Sequence, residues 1–309
     1  MKYSILVPAY KSTYLKECIQ SILSQTYNDF ELIIVDDASP EDLKSIVEEF
    51  VDNRICYYRN ETNCGAINVV DNWNICLNYS KGEYVICMGD DDKLLPNCLE
   101  EYNKLISEFP GLNIYHGWTE IIDENSITYK MQEARPLWEG VFSLMWHRLN
   151  GRRQYIGDFL YKSSFLKNNK GFYKLPLAWG SDDITAYMAS IDKGVANTQI
   201  PVFQYRENVE SISKSGNIPI KIKTYMMVCE WYKDFIYNKE ATTSIELVFK
   251  SMLLRDINIY LSHTISYYLS CDFKNNNRLL RFCFWLVNKK DYQISYKNLI
   301  VGLLKSFSN

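Results

Sequence analysis

The 309 residues carry 47% hydrophobic and 23% charged side chains, enough apolar area for a sizeable core and too much for a disordered chain. A formal net charge of −3 excludes a generally basic, nucleic-acid-binding surface. Nine cysteines at irregular spacings, with no Cys-x-x-Cys pair and three histidines beside them, exclude a zinc site and read as the reduced thiols of a cytoplasmic protein.

At this length two domains, or one with an extension, are expected. Charge divides the chain accordingly: from Ile220 onward 13 Lys and Arg face 7 Asp and Glu, whereas 21 face 30 before it. The N-terminal apolar run is too short for a signal peptide, and no run approaches the roughly 18 apolar residues of a bilayer span.

Taken in order, residues 3–9 form an apolar run short enough for a buried strand. Leu15, Cys18, Ile19 and Ile22 recur at helical spacing over 14–23, with Ser12 and Thr13 offered as caps. A second strand over 30–35 ends abruptly at Asp36-Asp37-Ala38-Ser39-Pro40. A helix over 41–50, a strand over 55–58, a turn at Asn63-Cys64-Gly65 and a helix over 66–79 follow. Lys81-Gly82 closes that helix, and a fourth strand over 83–88 runs into Asp90-Asp91-Asp92. This is β-α-β-α-β-α-β with short links, the α/β pattern of a parallel sheet flanked by helices.

Ligands of such sheets bind at the carboxyl ends of the strands, where Tyr10, Asp36, Asp37 and Asp90 to Asp92 all fall. Three adjacent carboxylates repel one another. They suit either a solvated acidic turn or a hard divalent cation, Mg²⁺ or Mn²⁺, shared with substrate phosphates. Neither G-x-G-x-x-G nor G-x-x-x-x-G-K-[ST] occurs, so no dinucleotide fingerprint and no P-loop is present.

Ser4-Ile5-Leu6-Val7-Pro8-Ala9-Tyr10, Ser21-Ile22-Leu23-Ser24-Gln25-Thr26-Tyr27 and Glu31 to Asp37 with Ala38-Ser39 form a series. It continues through Asn63-x-Gly65, Asn72-Trp73-Asn74, Lys81-Gly82-Glu83-Tyr84 and the aspartate run. In order and spacing this series resembles the nucleotide-sugar-binding region of the family-two glycosyltransferases, whose fold is GT-A. The likeness thins and returns at Gly180-Ser181-Asp182-Asp183 and Pro201-Val202-Phe203-x-Tyr205-Arg206.

The resemblance implies that Pro8, Ala9, Tyr10 and Asp37 hold the nucleoside, Asp37 accepting from the base and Tyr10 lying against its ring. Asp36 or Asp37 capping the following helix is the competing structural role. The aspartate run matches the family's D-x-D element, but aligned on Pro96 the usual first Asp falls on Gly89. The resemblance assigns the metal to Asp92 or Asp91, with Asp90 and Asp91 toward the nucleotide, and implies Mn²⁺ or Mg²⁺ at the donor diphosphate. Asp183 matches the base that deprotonates the acceptor hydroxyl, with Asp182 in place of the usual Glu, which implies inversion at the anomeric carbon. A capping box at Ser181-Asp182-Asp183 is the structural alternative.

Arg206 ends an expected edge strand, and diphosphate or acceptor contact (for it and for Asp182) competes with a solvated strand end. A Ser-rich loop follows at 211–216. His116, beside Trp118, reads as structural or acceptor-lining.

The expected organisation is a GT-A catalytic domain over 1–216, its nucleotide-sugar half about 1–110 and its acceptor half about 111–216, then a helical C-terminal region over 217–309. Helical stretches are read over 225–237, 244–261 and 278–287, with a break at Asn275-Asn276-Asn277. The Q-x-x-R-W element of processive synthases is absent, which implies one sugar per event. Residues 278–290 are basic and strongly apolar, as an interfacial helix would be. Packing on the catalytic domain or a second subunit is the alternative.

The implied activity is non-processive, inverting transfer from a UDP-linked sugar to a glycan or lipid-linked acceptor in cell-surface polysaccharide synthesis. The implied location is cytoplasmic, peripheral on the inner face of the membrane. A sugar-phosphate nucleotidyltransferase lacks its Gly-rich loop at Pro8-Ala9-Tyr10-Lys11, and a non-catalytic carbohydrate-binding protein of the same fold is the remaining alternative.

Overall fold

Strand β1 (Tyr3–Ala9) is buried along almost its whole length, as a central parallel strand must be. The computed structural model describes residues 1–207 and 217–308, so the Ser-rich stretch expected at 211–216 lies outside the described residues. The chain divides into two units, Met1–Lys174 with Ser181–Ser211, and Leu175–Gly180 with Ile212–Asn309.

In the first unit, α1 (Leu15–Leu23), β2 (Phe30–Asp36), α2 (Leu43–Glu48), β3 (Ile55–Arg59), α3 (Val69–Tyr79) and β4 (Tyr84–Cys87) follow β1. Next come β5 (Lys93–Leu94), α4 (Cys98–Glu108), β6 (Ile114–Ile122), β7 (Thr128–Met131) and β8 (Trp138–Glu139). Helix α5 (Val141–Leu149), β9 (Phe159–Lys162), α6 (Ser163–Asn168), α7 (Ser181–Ser190) and β10 (Val195–Arg206) complete it. One mixed, mostly parallel sheet runs β3-β2-β1-β4-β9-β6-β10-β5, with β7 on β6 and β8 on β10. Strands β3, β2, β1 and β4 are parallel, β9 is antiparallel to both its neighbours, and β10 is parallel to β6.

Register aligns the strand ends. Ala9 pairs with Asp36, Asp36 with Arg59, and Leu6 with Cys87, so the residues just past β1, β2 and β4 meet on one edge. Beneath them Ile5, Val7, Ile19, Ile22, Leu32, Ile34 and Ile86 form the core, whose burial is the main favourable contribution to folding.

Several local expectations are corrected. Ser12 and Thr13 do not cap α1: Tyr14 holds the N-cap position without a side-chain bond, and the Ser12 N–H donates to Glu41 Oε2 at 2.7 Å. Helix α2 starts at Leu43 and is capped by Asp42, whose side chain accepts from the Ser45 N–H. That relieves Asp36 and Asp37 of the capping role. Strand β10 is not an edge strand, because β5 covers its outer side.

The second unit is helical: α8 (Ile218–Asn238), α9 (Ser244–Asn275), α10 (Arg278–Asn288) and α11 (Tyr296–Lys305). Ile222, Tyr225, Leu269, Phe273, Trp285 and Leu299 lie in its core. Helix α9 runs past the expected end near Leu261 to Asn275, burying Ile265, Leu269 and Phe273 along its second half. Asn277 ends the Asn-rich break by accepting from the Leu280 N–H as the cap of α10. All nine cysteines are free thiols. No helix among the described residues is long and apolar enough to cross a membrane.

Candidate active site

Three strand ends are laced together by side chains. Asp90 Oδ2 accepts from the backbone N–H of Tyr10 at 2.7 Å and of Lys11 at 2.8 Å, fixing the exit of β1 to that of β4. The Asp37 N–H donates to Ala9 O at 2.9 Å, and Ser39 Oγ donates to Tyr10 O at 2.6 Å. Tyr10 keeps 44% of its surface exposed, so its ring is free to lie against a planar base, while Ala9 is buried below it.

Asp37 and Asp36 do different work. Asp37 Oδ1 accepts from Asn60 Nδ2 at 2.8 Å and from the Cys64 N–H at 3.0 Å. Asn60 also donates to Asn72 Oδ1 at 3.1 Å, which gives the Asn72-Trp73-Asn74 motif part of its purpose. Asp36 is fully buried, takes the Ser39 N–H and the Tyr57 hydroxyl, both at 2.7 Å, and pairs with Arg59. It braces the turn in which Ala38 sits at φ +49°.

Beyond β4 the aspartates converge on Gly89. A Cβ there would stand 2.8 Å from Asp91 Oδ1 and 3.1 Å from Asp92 Oδ2. Two carboxylates therefore close over the bare Cα, and the space of the usual Asp side chain is taken. Asp92 is buried; its Oδ1 accepts from the Arg206 N–H at 2.9 Å and its Oδ2 from the Gly89 N–H at 3.3 Å. Burial, then the Asp91 charge, raise the Asp92 carboxyl well above the usual carboxylate range. Burial likewise pushes Asp90 up to about 6, against the Lys11 and Tyr10 N–H groups that favour its charged form.

This donor set of hard oxygens, each charge resisting the other, fits a divalent cation that neutralises both. Among the described residues no group of three or more His, Cys, Asp or Glu could hold a metal. A cation here would have two protein carboxylates to bind, as Mg²⁺ and Mn²⁺ do where they also share substrate phosphates.

Arg206 departs from expectation. It is 1% exposed, so it is no solvated strand end. Its Nε donates to Asp91 O at 2.8 Å, its Nη1 to Asp123 O at 2.9 Å and its Nη2 to Ser126 Oγ at 3.0 Å. With all three nitrogens engaged inside the fold, it holds the aspartate turn rather than reaching a diphosphate.

A second cluster forms at the start of α7, whose first turn carries Asp182 and Asp183. Arg148 Nε, from α5, donates to both Asp183 oxygens, and Gln154 Nε2 donates to Asp183 Oδ1 at 2.6 Å. Burial, then the Asp183 charge, push Asp182 up to about 7, with Arg148 opposing. Burial disfavours the Arg148 charge, but Asp183 and Asp182 outweigh it and raise the guanidinium well above its ordinary value. Behind lie Arg152, paired with Glu139 at 2.9 Å, and Asp158, which accepts from Thr119 Oγ1 at 2.6 Å and Gln132 Nε2 at 2.7 Å. His116 is fully buried beside them, its basicity depressed by burial and by Arg135 and Arg152.

Sequence reasoning missed Asn60, Arg148 and Gln154. Asn60 was findable, since it follows a parallel strand directly; Arg148 and Gln154 stand in no recognisable pattern.

The model of glycosyl transferase family 2 matches residues 4–178. An uncharacterized glycosyltransferase of Haemophilus influenzae is 35% identical over 136 residues, 43% of this chain and 44% of that protein. The Escherichia coli UDP-Glc:alpha-D-GlcNAc-diphosphoundecaprenol beta-1,3-glucosyltransferase WfgD is 33% identical over 128 residues, 41% of this chain and 49% of that protein. The chain thus spans less than half the length of these relatives. In fold it is similar to S. aureus TarS (residues 1–349, in complex with UDP-GlcNAc), with a TM-score of 0.67, 15% identity, and coverage of 100% of this chain and 91% of that one. The mannosyltransferase PcManGT of Pyrobaculum calidifontis, in complex with GDP-Man and Mn²⁺, gives a TM-score of 0.53, 18% identity and coverage of 99% and 87%. The mixed sheet described above is therefore a GT-A fold.

Proposed function

The chain belongs to glycosyl transferase family 2, and from that premise we propose that it moves one sugar at a time from a UDP-linked donor to a glycan or lipid-linked acceptor, with inversion, in cell-surface polysaccharide synthesis. The observation that carries this reading is the convergence of Asp91 and Asp92 over Gly89, beside a β1 exit fixed by Asp90. WfgD, by its name a UDP-glucose transferase acting on a diphosphoundecaprenol-linked sugar, supports the donor and acceptor classes. A lipid-linked acceptor would bring the protein to the inner face of the membrane.

Pro8, Ala9 and Tyr10 would line the nucleoside, Tyr10 by stacking, and Asp37 would accept from the base N–H. Asn60 and Cys64 already fix the direction of that carboxylate. Asp90 and Asp91 would border the ribose and diphosphate, and Asp91 and Asp92 would hold Mn²⁺ or Mg²⁺. That cation, when bound, stabilises the charge growing on the departing nucleoside diphosphate. Asp183 would accept the proton of the attacking hydroxyl on the face opposite the leaving group. Arg148 and Gln154 orient it, and Asp182 would contact the acceptor.

The test is a panel of nucleotide sugars with Mn²⁺ and a lipid-linked acceptor, run on the wild type, Asp92→Ala and Asp183→Ala. Asp92→Ala should lose nucleotide binding, whereas Asp183→Ala should keep binding and lose transfer by about 10²–10⁴-fold. Normal transfer by Asp183→Ala would remove it as the base. Nucleotide-sugar synthesis from a sugar phosphate, or sugar binding without turnover, would overturn the assignment.

A further inference from the structure

Two helices of the C-terminal unit present an outward apolar surface that sugar transfer leaves unexplained. Helix α10 turns Trp285 fully inward, where its indole Nε1 donates to Asp272 Oδ2 at 2.6 Å beside Arg281 Nε. At about 100° per residue, Leu279, Leu280, Cys283, Leu286 and Val287 fall within an arc of about 120° on the far side. Leu279 is 73% exposed, Leu280 68% and Val287 81%.

Helix α11 repeats the pattern. It buries Leu299 and Gly302, the latter so close to α9 that a Cβ would meet Leu269 Cβ at 2.7 Å. Its free side carries Tyr296, Ile300 and Leu304, with Phe307 just beyond.

Cations join the two stripes at both ends. The Arg278 guanidinium lies 4.6 Å from the Phe307 ring and donates to Ser306 O at 3.1 Å, while Lys289 Nζ lies 4.0 Å from the Tyr296 ring. Single exposed leucines mean nothing, but stripes on two neighbouring helices make a contiguous patch. From Asn277 to Ser308 the chain carries six Lys and Arg against one Asp.

We propose that the α10–α11 face docks on an anionic lipid surface, its apolar stripes entering the headgroup–acyl boundary while Arg278, Lys289, Lys290, Lys297 and Lys305 meet the headgroups. Lys and Arg stems lie along apolar surface with their charges in the polar layer, and anionic lipid attracts each cation. A second copy of the chain fits poorly, since a twofold interface would set the same basic rims against each other and interface cores are depleted in Lys. The purpose of the docking rests on the lipid-linked acceptor read above, but the docking itself is measured without sugar transfer.

The full chain is sedimented with phosphatidylcholine vesicles, with and without phosphatidylglycerol, at low and high salt. The wild type should bind the anionic vesicles at low salt. Leu280→Glu with Val287→Glu, and separately Lys289→Glu with Lys290→Glu, should each weaken binding at least about tenfold. Both should leave the melting temperature and transfer to a water-soluble acceptor unchanged. Undiminished binding by either variant, equal binding to neutral vesicles, or a dimer that the Leu280→Glu, Val287→Glu chain dissolves would overturn the proposal. Failure of the transferase reading would look different: no variant would move sugar, yet vesicle binding would persist.

Discussion

Arg148 Nε stands between the two carboxylate oxygens of Asp183, at 2.9 and 3.1 Å. The residue matching the family's base is thus fixed by a cation from another helix, and its direction is set before any acceptor arrives. Removing one partner of a buried pair leaves the other charge uncompensated. Arg148→Ala should cost about 2–3 kcal/mol in urea unfolding, the low side for such pairs because Arg148 keeps 32% of its side chain exposed. Transfer should fall with it, and Arg148→Lys should restore stability better than rate, since a point charge does not orient a carboxylate as a guanidinium does. A variant as fast and as stable as the wild type would show that the pair is dispensable.

Gly89 gives a prediction that runs against family pattern. Replacing it with Asp recreates the commoner sequence, but any Cβ there meets Asp91 Oδ1 and Asp92 Oδ2 at 2.8 and 3.1 Å. Gly89→Asp should therefore weaken Mn²⁺-dependent nucleotide binding, and Gly89→Ala should weaken it less, as read by the nucleotide-induced rise in melting temperature. If Gly89→Asp binds more tightly, the carboxylates are not fixed where the metal would be held.

What was legible in the sequence follows from how local each signal is. Strands β1, β2 and β4 were readable because strands buried on both faces are short continuous apolar runs, and the half-buried β3 because its Ile-Cys-Tyr-Tyr run is short and apolar too. Asp37 and the aspartate run were readable because they end such strands. Helix α11 was missed although Ser295 and Asn298 form a capping box ahead of its apolar run. Arg206 was misjudged because its partners at Asp91, Asp123 and Ser126 are remote in sequence. The pairing of β10 with β6, Arg206 against Ile122, brings Asp123 and Ser126 to it, and the pairing of β10 with β5, Gln204 against Lys93, brings Asp91. Arg148 was invisible for the same reason, since a lone Arg on a helix reads as a solvated face until its partner's helix is placed.

Asn60 tests the nucleoside end. Its amide donates to Asp37 Oδ1 at 2.8 Å and to Asn72 Oδ1 at 3.1 Å, so it aims the carboxylate without occupying the site. Asn60→Ala removes roughly one charge-assisted hydrogen bond, and nucleotide affinity should fall about tenfold. The rate at saturating donor should stay near normal, because the acceptor side is untouched. Calorimetric binding with steady-state kinetics separates the two, and a loss in kcat without a loss in affinity would contradict the role.

Asp182 makes stability depend on pH in a definite direction. Its carboxyl is raised from the ordinary 3.8 to about 7 by burial and by Asp183. Over that window the folded chain holds a proton that the unfolded chain has released, so stability contributed by this group is complete below about pH 4 and is lost as pH rises toward 7. Asp182→Asn should remove that part of the slope, on the order of 4 kcal/mol between pH 4 and pH 8. Asp90 and Asp158 also titrate upward, each to about 6, so the quantity to compare is wild type minus variant in metal-free buffer. A difference that grows as pH rises would reverse the sign and place the proton elsewhere. A flat difference would mean that Arg148, which opposes the rise, offsets burial and the Asp183 charge together.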